Sequence, residues 1–509
     1  RRAHARRVGG MPSSTVKVHR CRFVEAVPQA VECVEFDPRG GRLAVLRANA
    51  DIEVWSLALG GWFCESRLAG AADAPVRRVA WGAHDPAFPR GRLFTCGLHG
   101  MISEWDLCTL SSTASCDSYG GAAWSMAMHH ASGLLAVGCE DGGISLIDTT
   151  DALALVARLP SLNERVLAVA FNPQGSHLAC GTAGGVVCVW DVAGRSVTSQ
   201  LVLESFQTGS AARVRKPPLV WSVLLLSDMA VVAGDSSGHV TFVDGRHGTS
   251  VQSFGSHQAD VLALAVSADQ STVFASGVDH KVALFSPAAE AAPTIIAGFA
   301  LPAPPRRWLL SCSRRPHTHD VRALAVGEPE PGSGRGPVIV SAGTDTQLCT
   351  LQLHDFERCA PRKLLPLPIR GAYSVAPRRR LLLCQADQAL QLWQLPHCPG
   401  ATSLPAPLDA QSSTDGGEQV AADEPRQLLL LKPKQPQCNL RCSALAPDGQ
   451  WMACSDSETR LYALTLAPDP APGHKPDPTE SAVRVQRAPL PEEVPLASIS
   501  PLHLPYTPL

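Results

Sequence analysis

Few residues in this sequence could do covalent chemistry, and each candidate carries a structural requirement that can be checked against its surroundings. Gly234-Asp-Ser-Ser-Gly238 matches the G-x-S-x-G pattern of a nucleophilic serine. That pattern works only where a strand-to-helix elbow exposes the hydroxyl beside a histidine and an oxyanion hole. Here it separates two apolar runs, Met229-Ala-Val-Val-Ala233 and His239-Val-Thr-Phe-Val243, and reads as a turn between strands. His317 and His319 would share one strand face and could bind metal, but no Cys/His cluster completes a tetrahedral set, and Cys438 with Cys442 lacks a second pair. The role expected of His257, His319, Ser276 and Ser341 is instead hydrogen bonding between strands, because buried polar groups need partners. Gly332-Ser-Gly-Arg-Gly336 lacks the Lys-Ser/Thr of a phosphate loop and reads as a flexible linker. Acid, base and nucleophile do not converge anywhere, so no enzyme activity, metal, cofactor or small-molecule substrate is expected.

Binding is better represented. Four basic clusters stand out: Arg213, Arg215 and Lys216; Arg306 and Arg307 beside Trp308; Arg314 and Arg315; and Arg378, Arg379 and Arg380. Arginines near aromatics can grip phosphates and stack bases, and they serve protein docking equally well. These ten residues are the candidate RNA or partner contacts. Any nucleic-acid contact must be local, because 44 basic against 46 acidic residues leave a formal charge of -2 and no strong positive field. Apolar residues make up 45% and charged ones 18%, a globular balance, and no run of ~18 apolar residues is present to span a bilayer, so no membrane partner is expected. The 17 cysteines are scattered singly, many inside apolar runs as at Cys139, Cys180 and Cys188, which suits small buried hydrophobes in a reducing compartment. No secretory leader pattern opens the chain, and secretion is not expected.

The elements that must carry these residues follow from a repeat. An apolar run, a Pro/Gly/Asp turn, a second apolar run, a tight turn and a third run return again and again. Val31-Glu-Cys-Val-Glu-Phe-Asp-Pro-Arg-Gly40, Arg42-Leu-Ala-Val45 and Ala50-Asp-Ile-Glu-Val-Trp55 form one copy. Further copies begin at Val166 and Val261, and others close at Trp105-Asp106, Ile147-Asp148, Val243-Asp244, Leu351, Trp393 and Tyr462. Asp-Pro and Asn-Pro pairs, with Asp141-Gly142 and Asp279-His280, supply the preset or positive φ angles that reverse the chain. The spacing brackets the roughly 40- to 45-residue period of WD repeats, so the expected fold is all-β, a WD40 β-propeller.

About nine copies exceed the roughly four to eight blades of one propeller. Residues 16–360 are therefore assigned to a first, complete seven-bladed ring, with Val16 to Val24 expected to join its last blade as the closing strand. Residues 361–466 supply about two blades of an incomplete second propeller, and 467–509 read as a proline-rich disordered tail. Residues 1–15 read as a disordered extension in which Met11 is a candidate start.

Several stretches go beyond a general WD repeat. Lys17-Val-His-Arg-Cys-Arg-Phe23, Trp124-Ser-Met-Ala127, Val137-Gly-Cys-Glu-Asp-Gly142, His317-Thr-His-Asp-Val-Arg322, Ser341-Ala-Gly-Thr-Asp-Thr346 and Leu390-Gln-Leu-Trp-Gln-Leu395 together resemble the cirhin family. Members are longer, with two complete propellers and a basic tail, so the chain is expected to be a C-terminally shortened form. The resemblance implies a nucleolar, non-enzymatic scaffold of the small-subunit processome, supporting pre-rRNA transcription and processing toward 18S rRNA. It also implies two kinds of partner, other WD-repeat proteins of that assembly and pre-rRNA or small nucleolar ribonucleoprotein. The alternative is a WD-repeat substrate receptor of a cullin-type ubiquitin ligase, which carries Trp-Asp-x-Arg at a strand end; only Val243-Asp-Gly-Arg246 approaches that motif.

Overall fold

Turn chemistry sets the strand lengths. Asp37 accepts the Arg42 N–H on its side chain at 3.0 Å and the Gly40 N–H on its carbonyl, and Gly40 sits at φ +69°. Asn172 repeats the pattern with His177 N–H at 3.0 Å and Gly175 at φ +71°. Between second and third strands the reversal falls on Gly142 (φ +85°) and His280 (φ +63°), the left-handed positions expected of Asp-Gly and Asp-His turns.

The structure is a computed structural model that describes residues 27–489 apart from 59–60, 71–74, 205–216, 289–294, 297–298, 301–305, 329–335, 365–372, 387, 396–424, 433–438, 457 and 467–482. The described residues form nine four-stranded antiparallel sheets and one short two-stranded pair. Each sheet pairs its strands in chain order. The first comprises Val31–Phe36, Arg42–Arg47, Ile52–Ala58 and Gly61–Leu68. All nine third strands contain the closing residues read from the sequence, from Trp55 to Tyr462.

Two compact units divide these sheets. One holds the first seven, within Val27–Arg370, together with Lys434–Arg441; the eighth and ninth belong to the other. In the first unit the opening strands are Val31–Phe36, Val76–Trp81, Ala123–His129, Val166–Phe171, Val220–Leu225, Val261–Val266 and Val321–Gly327. Each lies beside the next, and the last lies beside the first, so seven sheets close into a ring around these strands. Seven apolar cores fill the seven boundaries between neighbours. The core between seventh and first sheets joins Val31, Leu43 and Trp55 to Val340, Ala342 and Leu348. Residues 16–24, expected to add a closing strand there, lie outside the described residues. Among the described residues the seventh sheet's outer strand is Arg362–Leu364, and this boundary is made by side-chain packing.

Of the four polar residues expected to bond inside the sheets, His257, Ser276 and Ser341 do so, and His319 does not. His319 is exposed; His317 is the buried one, hydrogen-bonded through Nδ1 to Asp345 at 2.9 Å and through Nε2 to Ser341 Oγ at 2.9 Å. The two histidines therefore do not share a face, because the chain turns between them before Val321 begins the strand. Burial holds the His317 pKa below its ordinary value, so the neutral ring donates to Asp345 and accepts from Ser341. His257 pairs with Asp279 at 2.8 Å, and the Ser276 hydroxyl donates to the Val321 carbonyl at 3.3 Å.

In the second unit the eighth sheet runs from Tyr373–Ala376 to Arg426–Leu431 and the ninth from Cys442–Leu445 to Val483–Ala488. Their opening strands adjoin, with the Leu445 N–H donating to Ser374 Oγ at 3.0 Å. Val483–Ala488 corrects the reading of 467–509 as a tail without structure: Val-Arg-Val-Gln-Arg-Ala contains no proline and alternates in character, so it can supply every ladder hydrogen bond to Thr459–Leu466.

Asn439, Leu440 and Arg441, far along the chain, are part of the ring's unit. The buried Asn439 side chain accepts the Ala69 N–H at 3.1 Å and donates to the Leu110 carbonyl at 3.0 Å, and Arg441 Nε donates to the Cys108 carbonyl at 3.1 Å. Removing a buried side chain that satisfies both a donor and an acceptor costs about 1–3 kcal/mol. Asn439→Ala in the full chain is therefore expected to accelerate hydrogen exchange at the Ala69 amide by about tenfold or more; an unchanged rate there would count against the contact.

Candidate interaction site at the mouth of the ring

The register of the seven inner strands contains one irregularity repeated in every sheet. Val31 pairs with Arg47 and Cys33 with Leu46, leaving Glu32 as an extra residue. The same shift leaves Arg77, Trp124, Leu167, Trp221, Leu262 and Arg322 in the other six sheets. A β-bulge re-aims one side chain while the ladder continues on either side. Seven bulges at equivalent positions thus place seven side chains around one mouth of the central channel.

Five sheets are linked there by a continuous belt. Glu32 receives Arg77 at 3.1 Å from the second sheet and Arg322 from the seventh. The Arg77 guanidinium lies 6.0 Å from the Trp124 ring centre, and Arg165, entering the fourth sheet, lies 5.6 Å from the same ring. Glu140 accepts from Arg165 at 2.6 Å and from the Trp124 indole N–H. The fifth and sixth sheets are joined separately, by the Trp221 indole N–H donating to Asp260 at 2.8 Å. Each cation in the belt is matched by a carboxylate or an aromatic face. The mouth therefore presents tryptophan and arginine without a free positive field, a composition typical of protein-binding hot spots.

Below the mouth, a channel of about 150 Å³ is walled by all seven inner strands, among them Cys33, Glu35, Arg78, Met126, Val169, Trp221, Leu262 and Leu324. Burial pushes the Glu35 carboxyl up to about 8, against the lowering effects of the Trp81 backbone N–H and of Arg78. Burial likewise raises the thiols of Cys33 and Cys139, and that of Cys96 to about 12, which leaves them as inert apolar groups.

The residues singled out from the sequence are placed elsewhere. Arg213, Arg215 and Lys216 lie outside the described residues. Arg306 donates to the Gln270 carbonyl at 2.8 Å and stacks 4.9 Å from the buried Trp308 ring. Arg314 donates to the carbonyls of Phe356, at 2.7 Å, and Cys359. Both are thus tied to backbone, whereas Arg307 and Arg315 are exposed at the two ends of the strand Trp308–Arg314. Arg378, Arg379 and Arg380 sit on a 3-10 turn of the eighth sheet, in the other compact unit. Arg378 is exposed, and Arg379 and Arg380 are half-buried. Ser236 of the G-x-S-x-G pattern is in a turn, its hydroxyl accepting the Leu219 N–H at 3.0 Å, with Asp235 capping the same turn through Ser237 and His239. Asp244 of Val243-Asp-Gly-Arg246 caps another turn, accepting from Arg246 N–H and pairing with His247. The bulge residues went unnoticed in the sequence, although aligning the repeats on Val31, Val76, Val166, Val220, Val261 and Val321 puts them in one column.

Glu35 gives the channel a testable titration. Its folded value lies above its ordinary 4.5, so the folded chain holds more protons than the unfolded one between 4.5 and about 8. The stability this supplies is fully present below 4.5 and is lost as pH rises through 8. Glu35→Gln, neutral throughout, is expected to match the parent near pH 4.5 and to melt about 2–4 °C higher above pH 8. Melting curves that stay parallel across this range would refute it.

Comparison with known proteins agrees with this architecture. The family described as "WD domain, G-beta repeat" matches residues 156–191 and 248–286. The first match runs from the outer strand of the third sheet through three strands of the fourth; the second runs from the outer strand of the fifth through three strands of the sixth. Over 462 residues the chain is 31% identical to U3 small nucleolar RNA-associated protein 4 of Schizosaccharomyces pombe, covering 88% of this chain and 57% of that protein. The Mus musculus homolog is 31% identical over 89% of this chain and 61% of its own length, and the Saccharomyces cerevisiae protein 27% identical over 88% and 54%. The chain thus spans somewhat more than half the length of these relatives. It is a WD40-repeat protein with a β-propeller ring, similar over nearly nine-tenths of its length to the U3 small nucleolar RNA-associated protein 4 proteins.

Proposed function

We propose that this chain is a non-catalytic scaffold of the nucleolar small-subunit processome, supporting pre-rRNA transcription and processing toward 18S rRNA. The observation that carries this reading is the similarity to U3 small nucleolar RNA-associated proteins across almost the whole chain. The ring adds the physical means. Its rigid mouth offers neutralised arginines and two tryptophans, chemistry suited to other WD-repeat proteins of the assembly. The exposed Arg307, Arg315 and Arg378, with Arg213, Arg215 and Lys216, are the proposed contacts to pre-rRNA or to small nucleolar ribonucleoprotein. Residues 361–466 are proposed to begin a second propeller.

The experiment is to express the full chain with a tag, locate it and sequence the RNA that co-purifies. Nucleolar signal with enrichment of U3 small nucleolar RNA is expected. Diffuse signal without U3 refutes the reading. Arg307→Glu with Arg315→Glu is expected to reduce RNA crosslinks about threefold or more, with a shallower salt dependence, while leaving protein partners in place.

A further inference from the structure

Two of the inner strands are entered by a residue that reaches back to the bulge residue of the preceding sheet. Arg165 stacks on Trp124, and Asp260 accepts from Trp221. Asp320, entering the seventh sheet, occupies the equivalent position relative to Leu262, which has no donor to offer. Among the described residues no partner accompanies the Asp320 carboxylate; its backbone carbonyl instead accepts from Thr344. Nearby cations are committed elsewhere, Arg322 to Glu32 and Lys281 to Asp279 at 3.3 Å, while His319 is exposed and faces His280 with 6.5 Å between ring centres. The arc from the fifth sheet to the entry of the seventh thus runs aromatic, carboxylate, aliphatic, carboxylate, and the cation that follows, Arg322, is committed to Glu32. Trp221, Leu262 and Arg322 of this arc also line the channel.

We infer that this arc of the mouth docks a protein partner through an arginine side chain, its guanidinium donating to Asp260 and Asp320, its plane over Trp221 and its stem along Leu262. Charge complementarity selects the occupant: two carboxylates repel a phosphate chain and attract a guanidinium, whose five N–H donors and flat face suit a carboxylate and an indole together. An arginine placed there would link the fifth and sixth sheets to the seventh, as Arg165 and Arg77 link their own neighbours. The inference rests on the reading of the mouth as a protein-docking face.

The test is titration of the full chain with a capped alanine–arginine–alanine tripeptide and with its citrulline counterpart, followed by calorimetry and by tryptophan fluorescence. Saturable binding of the arginine peptide is expected, about tenfold or more tighter than the neutral citrulline peptide. Asp260→Asn with Asp320→Asn, which preserves shape and leaves Trp221 an acceptor, is expected to remove that preference while the melting temperature is retained; Arg307→Gln with Arg315→Gln leaves it intact. Equal binding of the two peptides, no saturable binding, or a preference that survives the paired asparagine substitutions overturns the inference, as does an oligoribonucleotide that occupies the arc and competes with the peptide. Retrieval of U3 by the parent chain is scored separately: its failure sinks the scaffold reading, whereas its success with failed peptide binding sinks only this one.

Discussion

Everything in the seven-sheet unit depends on closing a circle. A four-stranded sheet with two apolar faces cannot bury both alone, and stacking in a row would always leave two faces wet. The circle removes that cost only if its last boundary is as well packed as the others. Here the first and seventh sheets meet through Val31, Leu43, Trp55, Val340 and Leu348, a core of the same kind as the other six. Glu32 adds a polar tie at the same junction by holding Arg77 on one side and Arg322 on the other. One carboxylate thereby touches three consecutive sheets. Its energetic worth is modest because both arginines are partly exposed, and its larger effect is to fix the register at the seam.

The bulge that frees Glu32 for this task is also what makes a functional surface. Inner strands are buried on both faces, so a strictly alternating ladder would give the mouth only backbone. One extra residue per strand turns a side chain outward without breaking the pairing around it. Seven such positions tolerate different residue types, since none belongs to the seven apolar cores between neighbouring sheets. The ring can therefore hold its architecture in the surrounding apolar positions and vary its recognition chemistry in this one column, as glutamate, arginine, tryptophan and leucine at equivalent places illustrate.

The repeat made the architecture legible. Asp-Pro and Asn-Pro turns, tight Asp-Gly reversals and apolar triplets are local signals, and all nine third strands fall where they point. Side-chain partners were less legible because they depend on contacts across sheets. His317 and His319 look alike in sequence, and only the turn before Val321 buries one and exposes the other. Val483–Ala488 was hidden by the prolines around it, although the six residues contain none. The basic clusters were visible as composition, but nothing local distinguishes an arginine tied to backbone carbonyls, such as Arg314, from an exposed neighbour such as Arg315.

The fate of the arginines bears directly on how the molecule can recognise partners. A cation contributes to phosphate binding in proportion to the counterions it releases, and one already paired to a carboxylate releases few. Arg77, Arg165 and Arg322 at the mouth are all paired, so they act as rigid, planar surface. Arg307 and Arg315 flank the two ends of an outer strand and keep their charge exposed. The same residue type thus stands in two electrostatic settings on one ring. Under the proposed function, neutralisation suits the mouth to protein, and exposure suits the outer strand to a phosphate backbone. On that reading, a chain with a net charge of only -2 can carry both surfaces without a field strong enough to let nucleic acid cover the protein-docking face.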